Sequence, residues 1–388
     1  MPRPSIVLVV LDDIAAVDLT PARAPNYFDL LALGREHVNA YSMPVCSQSR
    51  ACLVFGTYGR HLGITEAMSA SDGPEPAAGT ATLASLLRAS GYYTAMVGKW
   101  HLGRHPTAFT AIGAPLGRGY DRWLAGTADN ISDYFSWERF EDSAPPVTEA
   151  TYATIAQVGS ARSWWESTQH PRFLHLALST PHGPFHEPPA ELLGGYEPEP
   201  GLTPNRRRYE KMIRAADWAL GELRTFTGIQ HALVCVVGDN GTPMNVPGPG
   251  QNPERLKTTT YEDGIRVPMA WYGPSVGIAP GSKEYGLSHL VDVPARMLVA
   301  AGVGVPAGWG GMTIPRSSAI SEATLADGTL ERAAISGDLV KLRRTGDEPE
   351  ELYDLQNDPV EAINLIDDPE WQTELALLRE DLYGVGLA

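Results

Sequence analysis

The sequence predicts an α/β fold: a mostly parallel sheet flanked by helices, followed by a small antiparallel α+β subdomain. Three observations predict it. The run Ile6–Leu11 is apolar, continuous and rich in β-branched residues, the pattern of a strand buried on both faces of a parallel sheet. Similar short runs recur along the chain and alternate with segments of helical period, as strands joined by crossover helices do. From about Gly311 the alternation stops, and short strand-like pieces lead into one acidic terminal helix.

In chain order, further strands are expected at residues 94–97, 173–178, 232–237 and 269–272. The segment 80–89 spaces Leu83, Leu86 and Leu87 as a helix does. The segment 205–227 lines up Tyr209, Met212, Ile213, Ala216 and Leu220 on one stripe, and 289–301 is a third helix. Near the C-terminus, strands are expected at 333–336, 339–343 and 351–355, then a helix over 369–383. The expected division is a catalytic α/β domain, 1–310, and the subdomain, 311–388. Residues 129–146 are polar, aromatic and aperiodic, which reads as a long functional loop. Its Tyr134, Phe135 and Trp137 either wall a pocket or pack down as a satellite cluster.

Composition narrows the function classes. The 388 residues carry 46 acidic against 30 basic side chains, a net charge of −16. That sign disfavours nucleic acid and anionic membranes as partners, while leaving room for a local basic pocket. Three cysteines, Cys46, Cys52 and Cys235, exclude a disulfide framework. The apolar run after Pro4 is too short for a signal peptide or a membrane span. The expectation is a soluble cytoplasmic protein.

In such sheets ligands bind beyond the carboxyl ends of the strands. Asp12-Asp13 follows the first strand, and Asp239-Asn240-Gly241 follows the 232–237 run. Either tip alone is read as a turn or cap; together they suit a hard cation such as Ca²⁺ or Mg²⁺. Cys46 precedes the apolar helical stretch 51–55, which Ser47 or Ser49 would cap. It is then either a nucleophile or anion holder at a helix N-terminus, or a buried structural thiol. Arg50 offers a fork to an oxyanion. Gly98-Lys99-Trp100-His101 suits an anion site, or is a solvated lysine beside a loop histidine. His182 follows the 173–178 run; His186 lies four further on, but Gly183-Pro184 breaks any helical pair. Lys257 adds a cation, and Glu262 with Arg266 reads as an ion pair pinning its loop.

The order of these elements resembles the formylglycine-dependent sulfatases, in the wider alkaline phosphatase-like group. The resemblance runs from Asp12-Asp13 through Cys46-x-x-Ser49-Arg50, Gly56-Thr-Tyr58-Gly-Arg60, Lys99-Trp-His101, Pro181-His182, Asp239-Asn240 and Lys257 to Glu262-x-Gly264-x-Arg266-x-Pro268. The tail Glu351-Leu-Tyr-Asp-Leu355 to Asn364-Leu365 is similar to the C-terminal signature of that family. The resemblance implies an alkaline phosphatase-like sheet. It implies that Asp12, Asp13, Asp239 and Asn240, with residue 46, hold one divalent cation, usually Ca²⁺, with Mg²⁺ or Mn²⁺ as alternatives. A formylglycine-generating maturation enzyme would oxidise Cys46, whose hydrated aldehyde attacks sulfur, giving a covalent sulfo-enzyme. Arg50, Lys99 and Lys257 would neutralise the sulfate oxygens, His182 would serve the leaving oxygen, and His101 would act as base in the second step.

Two positions depart from the family pattern. Gln48 stands where the signature Cys-x-Pro-x-Arg has proline, which maturation enzymes largely read, and Asp263 stands where glycine is common. The implied substrate is a small anionic ester, the sulfate of an organic alcohol or sugar, because 388 residues leave little room for polymer-binding insertions. Two other readings share these residues: a phosphate or phosphonate ester hydrolase, and a non-catalytic anion binder with an unmodified Cys46.

Overall fold

The computed structural model describes residues 3–68, 74, 76–103, 114–168 and 171–384. Eight strands form the main sheet. Their spatial order is Ser282–Glu284, Arg35–His37, Met269–Tyr272, Leu233–Gly238, Ile6–Leu11, Arg172–Ala177, Tyr93–Lys99 and Arg122–Thr127. The last five of these run parallel. Met269–Tyr272 is antiparallel to Leu233–Gly238, so the sheet is mixed at that edge. The expected strands are present, with ends shifted by one or two residues. Lys99, expected just beyond its strand, is instead that strand's last residue.

The first strand shows why the layers form. Val7, Val9 and Leu11 enter one hydrophobic cluster, and Ile6, Leu8 and Val10 enter the other. Strand alternation therefore sends apolar side chains to both faces, and each face must be covered. Helices Pro25–Leu33, Ala153–Ser167 and Pro204–Leu223 cover the first face. Helices Cys46–Phe55, Leu83–Ala89 and Asp292–Ala300 cover the second. The 80–89 helix starts later than expected because Thr82 caps it, accepting from Ser85 N at 3.0 Å. Among the described residues no helix is long and apolar enough to cross a membrane.

The C-terminal region holds a four-stranded antiparallel sheet in the order Ser318–Thr324, Leu330–Ser336, Val340–Thr345, Glu351–Asp354. Its first strand was not expected from the sequence. Helix Gln372–Gly384 lays Leu375, Leu378 and Leu382 on one face of this sheet, against Ala334, Val340, Leu342 and Leu352. The other face meets the main body through Ile335, Ala319 and Tyr353 packed with Tyr41 and Ile265.

That second face also carries charge. Alternation along Val340–Thr345 sends Lys341 and Arg343 inward. Lys341 Nζ lies 2.8 Å from Glu262 Oε1 and 2.8 Å from Glu361 Oε1, and it donates to Thr260 O at 3.2 Å. Arg266 also pairs with Glu262, at 3.5 Å, so the expected loop pin is present. Removing one partner of a buried ion group strands the other charge, at about 3–5 kcal/mol. Lys341→Met is therefore expected to lower stability in urea unfolding by about that amount. A change below about 1 kcal/mol would show that the network contributes no more than an exposed pair.

Candidate active site

Four adjacent parallel strands deliver the site to one sheet edge. Asp12 and Asp13 leave Ile6–Leu11, Asp239 and Asn240 leave Leu233–Gly238, Lys99 ends Tyr93–Lys99, and His182 follows Arg172–Ala177. The pairing shifts register between Val97 and Lys99, and such an irregularity re-aims a side chain. Gly98 permits it: its φ is +89°, and a Cβ there would lie 2.0 Å from Ala177 O. Asp13 and His101 also have left-handed backbones, at φ 67° and 57°. Such conformations persist only where surrounding contacts hold them.

The acidic and basic side chains interlock. Arg50 places Nε and Nη2 on Asp239 Oδ2 at 3.1 and 2.8 Å, and donates from Nη1 to Lys99 O at 2.8 Å. Lys99 Nζ donates to Asp12 Oδ2 at 2.5 Å and to Asn130 Oδ1 at 2.7 Å. Lys257 Nζ donates to Asp13 Oδ1 at 2.6 Å and reaches Cys46 Sγ at 3.4 Å. The thiol in turn lies 3.6 Å from Asp13 Oδ1. His182 Nδ1 donates to Gly183 O at 2.8 Å, which leaves Nε2 facing Asp13 Oδ2 at 3.6 Å. Sequence reasoning singled out all these residues except Asn130, which lies in the aperiodic 129–146 loop.

The electrostatics show crowding of like charge. Burial and the neighbouring Asp12 carboxylate push Asp239 up to about 7. Asp12 moves the other way: against the cost of burial, Lys99 foremost holds it well below the usual carboxylate range. Burial pushes the Cys46 thiol up to about 12 despite Lys257 and Lys99. Burial thus outweighs the helix start and the two lysines at this position. The helix also begins at Cys46 itself, with Val45 as an N-cap that offers no side-chain bond. The serines expected as caps are used elsewhere: Ser49 Oγ bonds Met43, and Ser47 Oγ accepts from Met68 N.

A divalent cation fits this donor set. Ligand atoms of Asp12, Asp13, Cys46 and Asp239 all lie within 4.8 Å of one another. Asp12 Oδ1 and Asn240 Oδ1 are buried without a hydrogen-bond partner, and such atoms in a native site call for an ion or water. Oxygen-rich donors of this kind suit a hard cation.

His101 is anchored from one ring nitrogen. Its Nε2 donates to Met68 O at 2.8 Å, and its Nδ1 is buried without a hydrogen-bond partner. Burial, then Lys99 and Arg50, push its imidazole well below its ordinary range. Gln48 is fully buried, with neither amide atom hydrogen-bonded. In the loop, Tyr134 and Trp137 pack down into the core, whereas Phe135 stays exposed. Tyr134 still serves the site, because its hydroxyl donates to His182 O at 2.7 Å. Tyr209, read from its helical stripe as core alone, donates to Asp13 O at 2.8 Å. Above Asp13, His182 and Lys257 opens a cleft of about 410 Å³, bounded by Phe185, Met244 and Asn245.

The donor set generates a prediction. Asp239→Ala is expected to weaken divalent-cation binding beyond the roughly 10–100-fold lost with an outer partner of a metal site. Metal analysis after dialysis reads it, and stoichiometric metal retained by the variant would remove Asp239 from the ligand set.

Comparison with known proteins places this geometry. A family model described as Sulfatase matches residues 4–303. N-acetylgalactosamine-6-sulfatase of Homo sapiens is 29% identical over 346 residues, covering 78% of this chain. The chain spans 63% of the length of that protein. The ulvan-active sulfatase of Formosa agariphila is 28% identical over 415 residues, covering 96% of this chain and 78% of that protein. The crystal structure of Ps i-CgsB in complex with k-i-k-neocarrahexaose superposes with a TM-score of 0.81 at 21% identity, covering 97% of this chain and 91% of that one. The structure of BT4656 in complex with its substrate D-glucosamine-2-N,6-O-disulfate gives 0.78 at 19% identity, covering 97% and 96%. These two likenesses establish the shared fold, an alkaline phosphatase-like sheet with a small C-terminal antiparallel sheet. With the family match running over most of its length, the chain belongs to the sulfatase family.

Proposed function

We propose that this protein hydrolyses a sulfate ester of a sugar or another small organic alcohol. The observation that carries the reading is the position of Cys46. It lies between Lys257 and Asp13, both of which line the cleft, and within the Asp12–Asp13–Asp239 group. The sulfated-sugar relatives support the substrate class. A divalent cation, a hard one such as Ca²⁺ or Mg²⁺ given its oxygen donors, would be held by Asp12, Asp13, Asp239 and Asn240 and would supply Lewis-acid charge opposite the sulfate oxygens. Cys46 oxidised to formylglycine by a maturation enzyme would supply, as its hydrate, the oxygen nucleophile.

The chain's own residues do the rest. Arg50, Lys99 and Lys257 match Asp12, Asp13 and Asp239 in charge one for one. A divalent ion then leaves the site positive, which draws an anionic ester to a chain of net charge −16. Lys257, which lines the cleft and reaches Cys46 Sγ at 3.4 Å, would face sulfate oxygens arriving over residue 46. Arg50 is held rigidly by its two bonds to Asp239 and so keeps its charge in place without reorganisation. His182, with Nδ1 fixed on Gly183 O, presents Nε2 to hold or pass the proton of the leaving oxygen. His101, buried and neutral, has its free Nδ1 as the acceptor for the second step.

Two experiments test this. The first is mass spectrometry of the tryptic peptide 36–50 from protein made with its maturation enzyme, paired with turnover of 4-nitrophenyl sulfate, phosphate and phenylphosphonate. An aldehyde at residue 46 with sulfate preferred is expected. Phosphate or phosphonate preferred would convert the reading to a phosphorus ester hydrolase, and an unmodified thiol without turnover would leave an anion binder. In the second, His182→Ala is expected to slow a sugar sulfate by about 10²–10⁴-fold and 4-nitrophenyl sulfate much less, because only the poor leaving group needs a proton. Equal losses on both would remove His182 from that role.

A further inference from the structure

The sheet end opposite the candidate active site carries a second cationic cleft. Asp239 follows the carboxyl end of Leu233–Gly238, whereas Leu233, at its amino end, walls a cavity of about 290 Å³. Arg35, Arg296, His37 and Trp271 line the same cavity. Among the described residues no ion pair includes Arg35 or Arg296. Arg35 Nε donates to Ser282 Oγ at 3.1 Å, and Arg296 Nη2 donates to Ser288 Oγ at 3.4 Å. The charges of Asp292 and Glu284 reach Arg296, but the ion pairs and hydrogen bonds of the surrounding acidic side chains go to other groups. Asp292 accepts from Arg316 Nε at 2.9 and 3.0 Å, Glu36 pairs with Lys283 at 2.8 Å, and Glu284 Oε1 accepts from Gly286 N at 3.1 Å.

Two buried donors on residues lining this cleft have no acceptor. Arg296 Nε is buried without a partner, and so is Nε1 of Trp271, a residue 4% exposed. Buried charges and buried donors are ordinarily satisfied. His37 contributes no positive charge, since burial, then Arg296 and Arg35, push its imidazole down to about 3. The guanidinium groups of Arg35 and Arg296, both on residues lining the cavity, suit the acceptor pattern of an oxyanion. The rest of the wall, Leu233, Val276 and Ile278, is apolar, and it suits a hydrocarbon body rather than a bare inorganic ion.

We propose that this cleft binds a small organic oxyanion, its charged head held by Arg35 and Arg296 and its apolar body against Leu233, Val276 and Ile278. The site is separate from the sulfatase reading and stands or falls independently of it.

Calorimetric titration of the full chain with benzenesulfonate, benzoate and phenylphosphonate tests the site and identifies the preferred head group. The background carries Lys257→Met, which removes the lysine lining the catalytic cleft. At least one probe is expected to bind with one-to-one stoichiometry, and more tightly than inorganic sulfate. Arg35→Gln with Arg296→Gln is expected to weaken it tenfold or more. Val299 lines the same cavity and is 54% exposed, so Val299→Asp places a repelling carboxylate at the rim without disturbing the core. It is expected to weaken binding at least tenfold and decides the matter if the double variant does not fold. Absence of binding by all three probes, binding unchanged in Val299→Asp, or inorganic sulfate binding as tightly as the organic anions would each overturn the proposal.

Discussion

Three carboxylates crowded at one sheet edge set the terms for the rest of the structure. Asp12, Asp13 and Asp239 are fully buried, and buried like charges are stable only when opposed. The opposing cations come from three unrelated places: Arg50 from a helix, Lys99 from a strand end and Lys257 from a loop. Each must be delivered through the packed layers without solvent to compensate an error. The tight backbone at Gly98, the register shift before Lys99 and the left-handed Asp13 are local means of meeting that demand.

The loop bearing Lys257 is held from a distance. Lys257 N bonds Thr242 O, and Thr258 N bonds Pro44 O, two residues before Cys46. A few residues on, Thr260 and Glu262 are gripped by Lys341, Arg343 and Glu331 of the C-terminal sheet. The C-terminal sheet thus buttresses the active-site loop through a buried polar network, in which each partner satisfies groups that would otherwise be stranded. The small sheet therefore has its own apolar core on one face and a structural task for the candidate site on the other.

Gln48 is the position where local rules and tertiary environment disagree most. Its side chain is sealed in the first turn of the Cys46–Phe55 helix with both amide atoms unpaired. Gly59, on the next turn of chain, fits closely over it, since a Cβ there would lie 3.3 Å from Gln48 Cγ. Departures of this kind gather at functional sites, where stability is not the only requirement.

Much of the architecture was legible in the residues themselves. Ile6–Leu11, Leu233–Gly238 and the stripe on Pro204–Leu223 are strong periodic patterns, and period is what dictates which faces must be buried. The site residues were legible too, because Asp, Asn and Gly directly after a strand report the sheet edge whatever else the chain does. Weakly patterned elements were not: the Ser318–Thr324 strand carries serines, a glutamate and alanines, and only pairing with Leu330–Ser336 makes it a strand. Nor were the partners Asn130 and Tyr209, whose roles depend on contacts 31 and 196 residues away along the chain. The sequence by itself determined the layered α/β class and the chemical types gathered at its edge, because hydrophobic period and turn chemistry are local properties. Only the tertiary structure decided which cation opposes which carboxylate, that Cys46 lies between Lys257 and Asp13, and that His101 is anchored through Met68 O. Those outcomes depend on burial and on distances of a few ångströms between residues far apart in the chain.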